Sequence, residues 1–271
     1  MKDILQKAAK AIVNKRHIVA FTGAGVSQES GIATFRDPGG LWDQFDPIEF
    51  GTLEGIVNLI KHDPQKLIDF LKNSISSLTN AKPNNAHIAI AEFEKMGLLD
   101  GVVTQNIDNL HQEAGNKDVL EVHGNIYRFR CAKCGETVKL TKDNFIGLMK
   151  KAIIELNTGS LQDVIDIMPT CNRCGGKMRL DVVLFGEAVQ MIPESYKAIE
   201  QASVVLIVGT SGTVYPASEI PRYGKSSGAV LVDVNPKETF YADIDNYFLK
   251  GHAGTVLPQL LEEVKTLIQY A

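Results

Sequence analysis

The chain has 271 residues, 44% of them hydrophobic and 22% charged, with a formal net charge of -4. Those values fit a globular enzyme with a sizeable core and argue against a protein that grips nucleic-acid phosphates. No apolar run reaches transmembrane length, and the first residues read as a polar amphipathic helix rather than a signal peptide.

Residues 3–15 place Ile4, Leu5, Ala8, Ala11 and Ile12 at helical spacing. The apolar run 17–21 then reads as the first strand of a buried parallel sheet. It empties into Gly23-Ala24-Gly25-Val26-Ser27, where glycines let the backbone turn sharply and approach a ligand with no Cβ in the way. Ser27, Glu29 and Ser30 supply helix-start chemistry, so backbone N–H groups there suit an anion, a dinucleotide pyrophosphate above all. The usual third glycine is replaced by Gln28, and a tight strand-to-helix turn with no ligand would also satisfy the pattern. Phe35 and Arg36 open a glycine-rich loop running to Trp42, which reads as a lid.

Residues 43–80 mix apolar side chains with charges and read as short helices forming a satellite module. A helix follows over 83–95, then a second strand over 98–104 whose end carries Gln105, Asn106, Ile107 and Asp108. Residues 119–124 form a third strand that stops at His123 and Gly124. Singly, Asn106 and Asp108 fit a capped turn and His123 fits a structural histidine. Their shared place at strand ends, beside the glycine loop, points to a ligand site.

Cys131-x-x-Cys134 and Cys171-x-x-Cys174 are separated by 36 residues. An intracellular, reducing setting is expected, cytoplasmic or nuclear, so these knuckles read as a structural zinc site that uses every cysteine. The long gap predicts a helix-bearing excursion. After it the sheet is expected to resume over 181–187, followed by a helix over 193–201. A strand over 204–208 empties into Gly209, Thr210 and Ser211, and another over 229–234 ends at Asn235. Residues 250–254, including Ala253, precede a closing helix over 256–269.

Taken together these motifs resemble the sirtuins, NAD-dependent protein lysine deacylases, over about residues 15–265. Gly23 to Ser27, Phe35-Arg36, Thr104 to Asp108, His123-Gly124, the paired cysteine knuckles, Val183 to Glu187, Gly209 to Ser211 and Val234-Asn235-Pro236 occur in family order. Thr34, Ala33 and Asn109 depart from the commonest pattern without removing a reacting group.

The resemblance implies a doubly wound Rossmann-like parallel sheet with a smaller inserted domain made of a zinc module and a helical module. The expected boundaries are 1–42, 81–126 and 181–271 for the NAD-binding part, 43–80 for the helical module and 127–180 for the zinc module. It implies NAD with its pyrophosphate on the Gly23, Ala24, Gly25 and Ser27 turn, beneath Phe35 and Arg36. Its adenosine end would meet Gly209, Thr210, Ser211, Asn235 and Ala253. Asp108 and the Ile107 backbone would hold the nicotinamide carboxamide, with Gln105 and Asn106 on the adjacent ribose. His123 would take a proton from a ribose hydroxyl, as suits an imidazole at neutral pH. Val183, Phe185, Gly186, Glu187, Val214 and Tyr215 would bind an acylated-lysine peptide as an added strand. A monomer with one zinc, and no direct nucleic-acid or membrane partner, completes the expectation. Mono-ADP-ribosyl transfer or non-catalytic ADP-ribose binding would use the same NAD site. Members that prefer succinyl-lysine carry a Tyr-x-x-Arg pair where this chain has Leu71 and Ser74, so acetyl or long-chain acyl groups are expected here.

Overall fold

The computed structural model describes residues 2–35, 39–158 and 160–270. Helix α1 (Lys2–Lys15) leads into strand β1 (Ile18–Thr22), every residue of which is buried. A 3-10 turn (Ala24–Ser30) follows and stops at Gly31, whose φ of 85° favours glycine. Helices α2 (Leu41–Gln44), α3 (Pro47–Gly51), α4 (Leu53–His62) and α5 (Pro64–Asn80) come next. Asp46, Thr52 and Asp63 cap the last three with side-chain oxygens, so those starts are specified locally.

The chain continues through α6 (Asn85–Lys95), β2 (Leu99–Thr104), α7 (Leu110–Ala114) and β3 (Val119–Glu121). Strands β4 (Gly124–Cys131) and β5 (Thr137–Lys139), helices α8 (Lys142–Thr158) and α9 (Leu161–Asp166), and strand β6 (Met178–Val182) follow. The remainder is α10 (Ile192–Gln201), β7 (Val204–Val208), α11 (Glu219–Ser226), β8 (Val230–Asn235), β9 (Tyr247–Lys250) and α12 (Ala253–Gln269).

Six strands form one parallel sheet in the order β3-β2-β1-β7-β8-β9. Apolar side chains of α1, α6 and α12 cover one face, while Ile199, Ile220 and Tyr241 pack on the other. The chain moves outward from β1 to β3, then returns to place β7 beside β1. That reversal opens a crevice at the carboxyl ends of β1 and β7, where sheets of this kind bind ligands.

The smaller sheet is antiparallel, in the order β5-β4-β6. Helix α8 packs on α5 and on β4, and Leu156 joins Phe50, Leu59, Leu67 and Ile68 in one apolar cluster. The two inserted segments therefore share a core and make one smaller lobe. Arg128 of β4 fastens that lobe to the large sheet, reaching Glu121 of β3 at 2.6 Å and Asp181 of β6 at 2.5 Å.

Two expectations change. The apolar run after the second knuckle does not resume the large sheet: β6 ends at Val182 and pairs with β4. Beyond it Val183 N donates to the His123 carbonyl, Phe185 is exposed, and the chain turns at Gly186 with φ of 88°. A run of Val, Leu and Phe reads alike whether it lies in a sheet or lines a cleft. Strand β9, absent from the sequence reading, closes the large sheet with Tyr247 to Lys250. Its short aromatic run was the available signal.

Gly209 has φ of 61°, and a Cβ on it would lie 2.3 Å from Val26 N. Gly209→Ala is expected to destabilise by roughly 3 kcal/mol and lower Tm by roughly 6–12 °C. An unchanged thermal melt would mean that these loops separate freely.

Candidate active site

The loops after β1 and β7 meet with almost no side chain between them. Gly25 N donates to Gly209 O at 2.8 Å and Gly23 N donates to Val208 O at 3.1 Å. A Cβ on Gly23 would stand 2.7 Å from the Thr210 Cβ, and one on Gly25 would stand 2.8 Å from the Gly209 Cα. The amides of both loop glycines are thus committed to β7. Their contribution to a ligand is the close approach they permit, rather than donated N–H groups. Glu29 does not start a helix of its own; its carboxylate accepts from Gly254 N at 2.6 Å, capping α12 beside Ala253.

Below the loops lies a buried polar cluster. The Ser27 hydroxyl donates to Asp108 Oδ2 at 2.7 Å and accepts from Asn106 Nδ2 at 3.1 Å. Asn106 Nδ2 also reaches Gly23 O at 3.1 Å, tying the end of β2 to the glycine turn. Asp108 Oδ1 accepts from Leu110 N at 3.0 Å, and burial raises this carboxyl above the usual range despite both bonds. Gln105 Nε2 donates to Thr210 Oγ1 at 2.9 Å, so β2 is also linked to the β7 loop. Ile107 offers its carbonyl to Ile126 N at 3.1 Å.

His123 occupies the short gap between β3 and β4. Its Nδ1 lies 3.0 Å from the Gln105 carbonyl. A carbonyl oxygen only accepts, so Nδ1 carries the proton and Nε2 keeps a free lone pair. Burial lowers the imidazole pKa from 6.5, with the Gln105 bond opposing that shift. The ring is therefore neutral at physiological pH, the state a general base needs.

The remaining expected residues fall around this centre. Thr210 and Asn235 are buried at the ends of β7 and β8, while Ser211 is exposed and its hydroxyl lies 2.8 Å from Thr213 Oγ1. Phe35 stacks near Trp42 at 5.5 Å between centroids, and Trp42 lies 5.9 Å from Phe185. Arg36 lies outside the described residues. Val183 is tied to His123 by its amide, and Phe185 N donates to Gly51 O at 2.8 Å, linking this segment to the helical module. The Glu187 carboxylate accepts from Arg179 Nη2 at 2.7 Å and from Leu184 N at 3.0 Å. Val214 accepts at its carbonyl from Ser218 N, while Tyr215 is exposed. Hydroxyls, carboxamides and one buried carboxyl thus converge on the ends of adjacent strands, a donor and acceptor set that fits a dinucleotide.

Two buried histidines escaped the sequence reading. His87 Nε2 lies 3.4 Å from Ser27 Oγ, His111 Nε2 lies 2.9 Å from Thr22 Oγ1, and the rings meet edge to face at 4.9 Å. His87 follows the capping Asn84 at the third position of α6, on a helix whose buried face is otherwise apolar. A histidine on such a face was the available signal.

The sequence model of the Sir2 family matches residues 23–216. The NAD-dependent protein deacylase of Desulfosudis oleivorans is 40% identical over 267 residues, covering 98% of each chain. This chain belongs to the Sir2 family. The solved structure of a Sir2 homologue in complex with NAD superposes with a TM-score of 0.77 at 33% identity, covering 97% of this chain and 94% of that one. A Sir2 protein bound to a myristoylated histone peptide matches with a TM-score of 0.71 at 32% identity over the full length of both.

The four cysteines of this Sir2-family chain converge at the far end of the small sheet, their sulfurs all within 4.8 Å of one another. Cys131 and Cys174 Sγ are 3.5 Å apart, and Cys134 and Cys171 Sγ are 3.7 Å apart. A tetrahedral zinc with sulfur bonds of ~2.3 Å sets sulfur–sulfur edges at about 3.8 Å, so the set fits zinc. Backbone N–H groups of Cys134 and Lys133 hold the Cys131 thiol low, at about 6, which favours the thiolate a metal requires. All four positions are filled by protein, leaving none for a reacting water.

Cys171→Ser is expected to remove bound zinc and lower Tm together, with about one zinc per chain in the unaltered protein. Metal analysis with a thermal melt checks this. A metal-free variant with an unaltered melt would overturn the structural role.

Proposed function

We propose that this chain is an NAD-dependent protein lysine deacylase that moves the acyl group from lysine to ADP-ribose and releases nicotinamide. One observation carries the reading: His123, just past the end of β3, is neutral, holds its proton on the Gln105 side, and keeps an unprotonated Nε2. The relatives that bind NAD and an acylated histone peptide support it.

Bound across the strand ends, NAD would supply an anomeric carbon to which the acyl-lysine carbonyl oxygen bonds as nicotinamide departs. The Gly23–Ser27 turn gives the pyrophosphate room, and Thr210, Ser211 and Asn235 take the adenosine end with Ala253 beside it. Asp108 and the Ile107 backbone hold the carboxamide, while Gln105 and Asn106 bind the neighbouring ribose. His123 takes a proton from a ribose hydroxyl, that oxygen attacks the acyl carbon, and water completes release of free lysine and O-acyl-ADP-ribose. Phe35, with Trp42 and Phe185 behind it, shields the centre from water. The peptide adds as a strand along the segments holding Val183, Phe185, Gly186 and Glu187 on one side and Val214 and Tyr215 on the other. Action as a monomer in the cytoplasm, without nucleic-acid or membrane contact, belongs to the same proposal. Among the described residues no helix is long and apolar enough to cross a membrane.

The acyl group is the finer question. Leu67 and Ile68 fill the core of the helical module instead of lining an open pocket, while Leu71 is partly buried against them. The Ser74 Oγ is buried with no hydrogen-bond partner, and Lys72 on the same helix is exposed. A succinyl carboxylate would find no guanidinium at Leu71 or Ser74. Acetyl is the proposed substrate, with long-chain acyl groups second.

His123→Ala should lower deacylation at least about 100-fold while ADP-ribose affinity stays within about twofold. Because the folded pKa lies below 6.5, unaltered activity should hold as pH falls to about 6.5 and decline only below it. Turnover by the alanine variant close to normal would end the assignment of the base.

On acetyl-, myristoyl- and succinyl-lysine versions of one peptide, kcat/KM for succinyl should be lowest, by at least about tenfold against acetyl. A succinyl preference would refute the acetyl assignment.

A further inference from the structure

Strand β8 carries a carboxylate into an apolar layer. Asp233 is fully buried, paired in register with Ile207 of β7 and Phe248 of β9. A charge in such a place is strongly disfavoured unless hydrogen bonds hold it. Both carboxylate oxygens are engaged: the Asn235 amide donates to Oδ1, and the Thr239 hydroxyl donates to Oδ2 at 2.6 Å. Thr239 also accepts from Tyr241 N at 3.2 Å, and the neighbouring Phe240 N donates to Ser211 O at 3.0 Å. One carboxylate therefore ties the end of β8 to a turn that is itself tied to the β7 loop.

Packing does not ask for this residue, since a valine would fill the layer without desolvation cost. The two groups it serves do. With its Nδ2 given to Asp233, Asn235 has its amide oxygen on the opposite branch, available to accept from a ligand. We propose that Asp233 is a positioning residue for NAD, fixing the Asn235 amide and the 236–240 turn so that Asn235 presents its oxygen to an adenosine ribose hydroxyl. This rests on the reading of Asn235 as a ribose contact.

The titration of the site agrees with the geometry. Burial pushes the Asp233 carboxyl up to about 6, opposed by the bonds from Thr239 and Asn235 and aided by the like charge of Asp245. Tyr241, on the following turn, is the other titratable group it acts on. Arg222 of α11 is committed to Asp243 and the Phe240 carbonyl, and Ile207 and Phe248 do not titrate. Once protonated, the carboxyl becomes a donor facing two donors, and its hold on Asn235 weakens.

The test measures ADP-ribose binding by calorimetry and NAD kinetics on the full chain, with melts to confirm that each variant is folded. At pH 7.5, Asp233→Asn should raise the ADP-ribose Kd and the NAD KM about tenfold while kcat stays within about twofold. Wild-type Kd should rise between pH 7.5 and 5.5, and that of Asp233→Asn should not. Thr239→Val leaves the carboxylate in place and should weaken binding in the same direction, which keeps the test alive if Asp233→Asn misfolds. If Asn235→Ala loses affinity while Asp233→Asn and Thr239→Val bind as wild type, the positioning role is overturned and the NAD reading stands. If Asn235→Ala also binds as wild type, the ribose placement fails and this inference with it.

Discussion

The molecule depends on a contact between two loops from which side chains are excluded. Gly25 and Gly209 touch backbone to backbone, with the Gly25 amide on the Gly209 carbonyl at 2.8 Å. Strands β1 and β7 are neighbours in the sheet yet far apart in the chain, and this contact lets both end at one level. Any side chain at either glycine would drive the strand ends apart. With the ends level, Ser27 above β1 reaches Asn106 and Asp108 above β2, while Gln105 reaches Thr210 above β7. The positions of these polar groups follow from that closeness more than from any property of their own loops.

His123 is held by both sheets at once. Val122 N donates to Thr104 O on the large sheet, and the His123 carbonyl accepts from Val183 N just past the small one. Gly124 turns the chain between them with φ of 83°, and a Cβ there would meet the Asp181 carbonyl at 1.9 Å. Around this corner Asp181, which is buried, takes bonds from Arg128, Arg130 and Gln190. Burial alone would raise its pKa, but those bonds together hold it below the ordinary value. Removing one partner from such a buried cluster costs about 3–5 kcal/mol. Cys131 and the knuckle preceding β6 lie at the other end of the same strands, so the metal site is joined to His123 through the small sheet.

The sequence exposed those features whose cause is local. Glycines after an apolar strand, cysteine knuckles and polar strand ends each follow from neighbouring residues, and they appear in the structure near their expected places. The features that escaped are non-local. Whether the run 182–185 joins a sheet depends on what Gly51 and His123 offer to its amides, about which its own composition says nothing. That the Gly23 and Gly25 amides serve β7 rather than a ligand depends on a carbonyl more than 180 residues away in the chain. Ser27 and Thr22, which meet His87 and His111 at Nε2, come from β1 and its following turn, so an apolar helix face gave no hint of them.

Those two histidines bear on the chemistry through their charge state. His87 accepts at Nδ1 from Asn84 N, which leaves its proton on the Nε2 that faces Ser27. Burial drives its pKa to about 4 and that of His111 well below 6.5, so neither is protonated at physiological pH. An edge-to-face pair of neutral rings can share this space, whereas two imidazolium ions could not. The consequence reaches the ligand. On the proposed placement of nicotinamide beside Asp108, the ring is cationic before it leaves, and a positive charge beneath Ser27 would oppose its binding. Neutral imidazoles fill the space with directional hydrogen bonds and leave the Asp108 carboxyl as the acidic group at that end of the crevice. A lysine or arginine in either place would bring a charge, and at position 87 it could not accept from Asn84 N, which is a physical reason for histidine there.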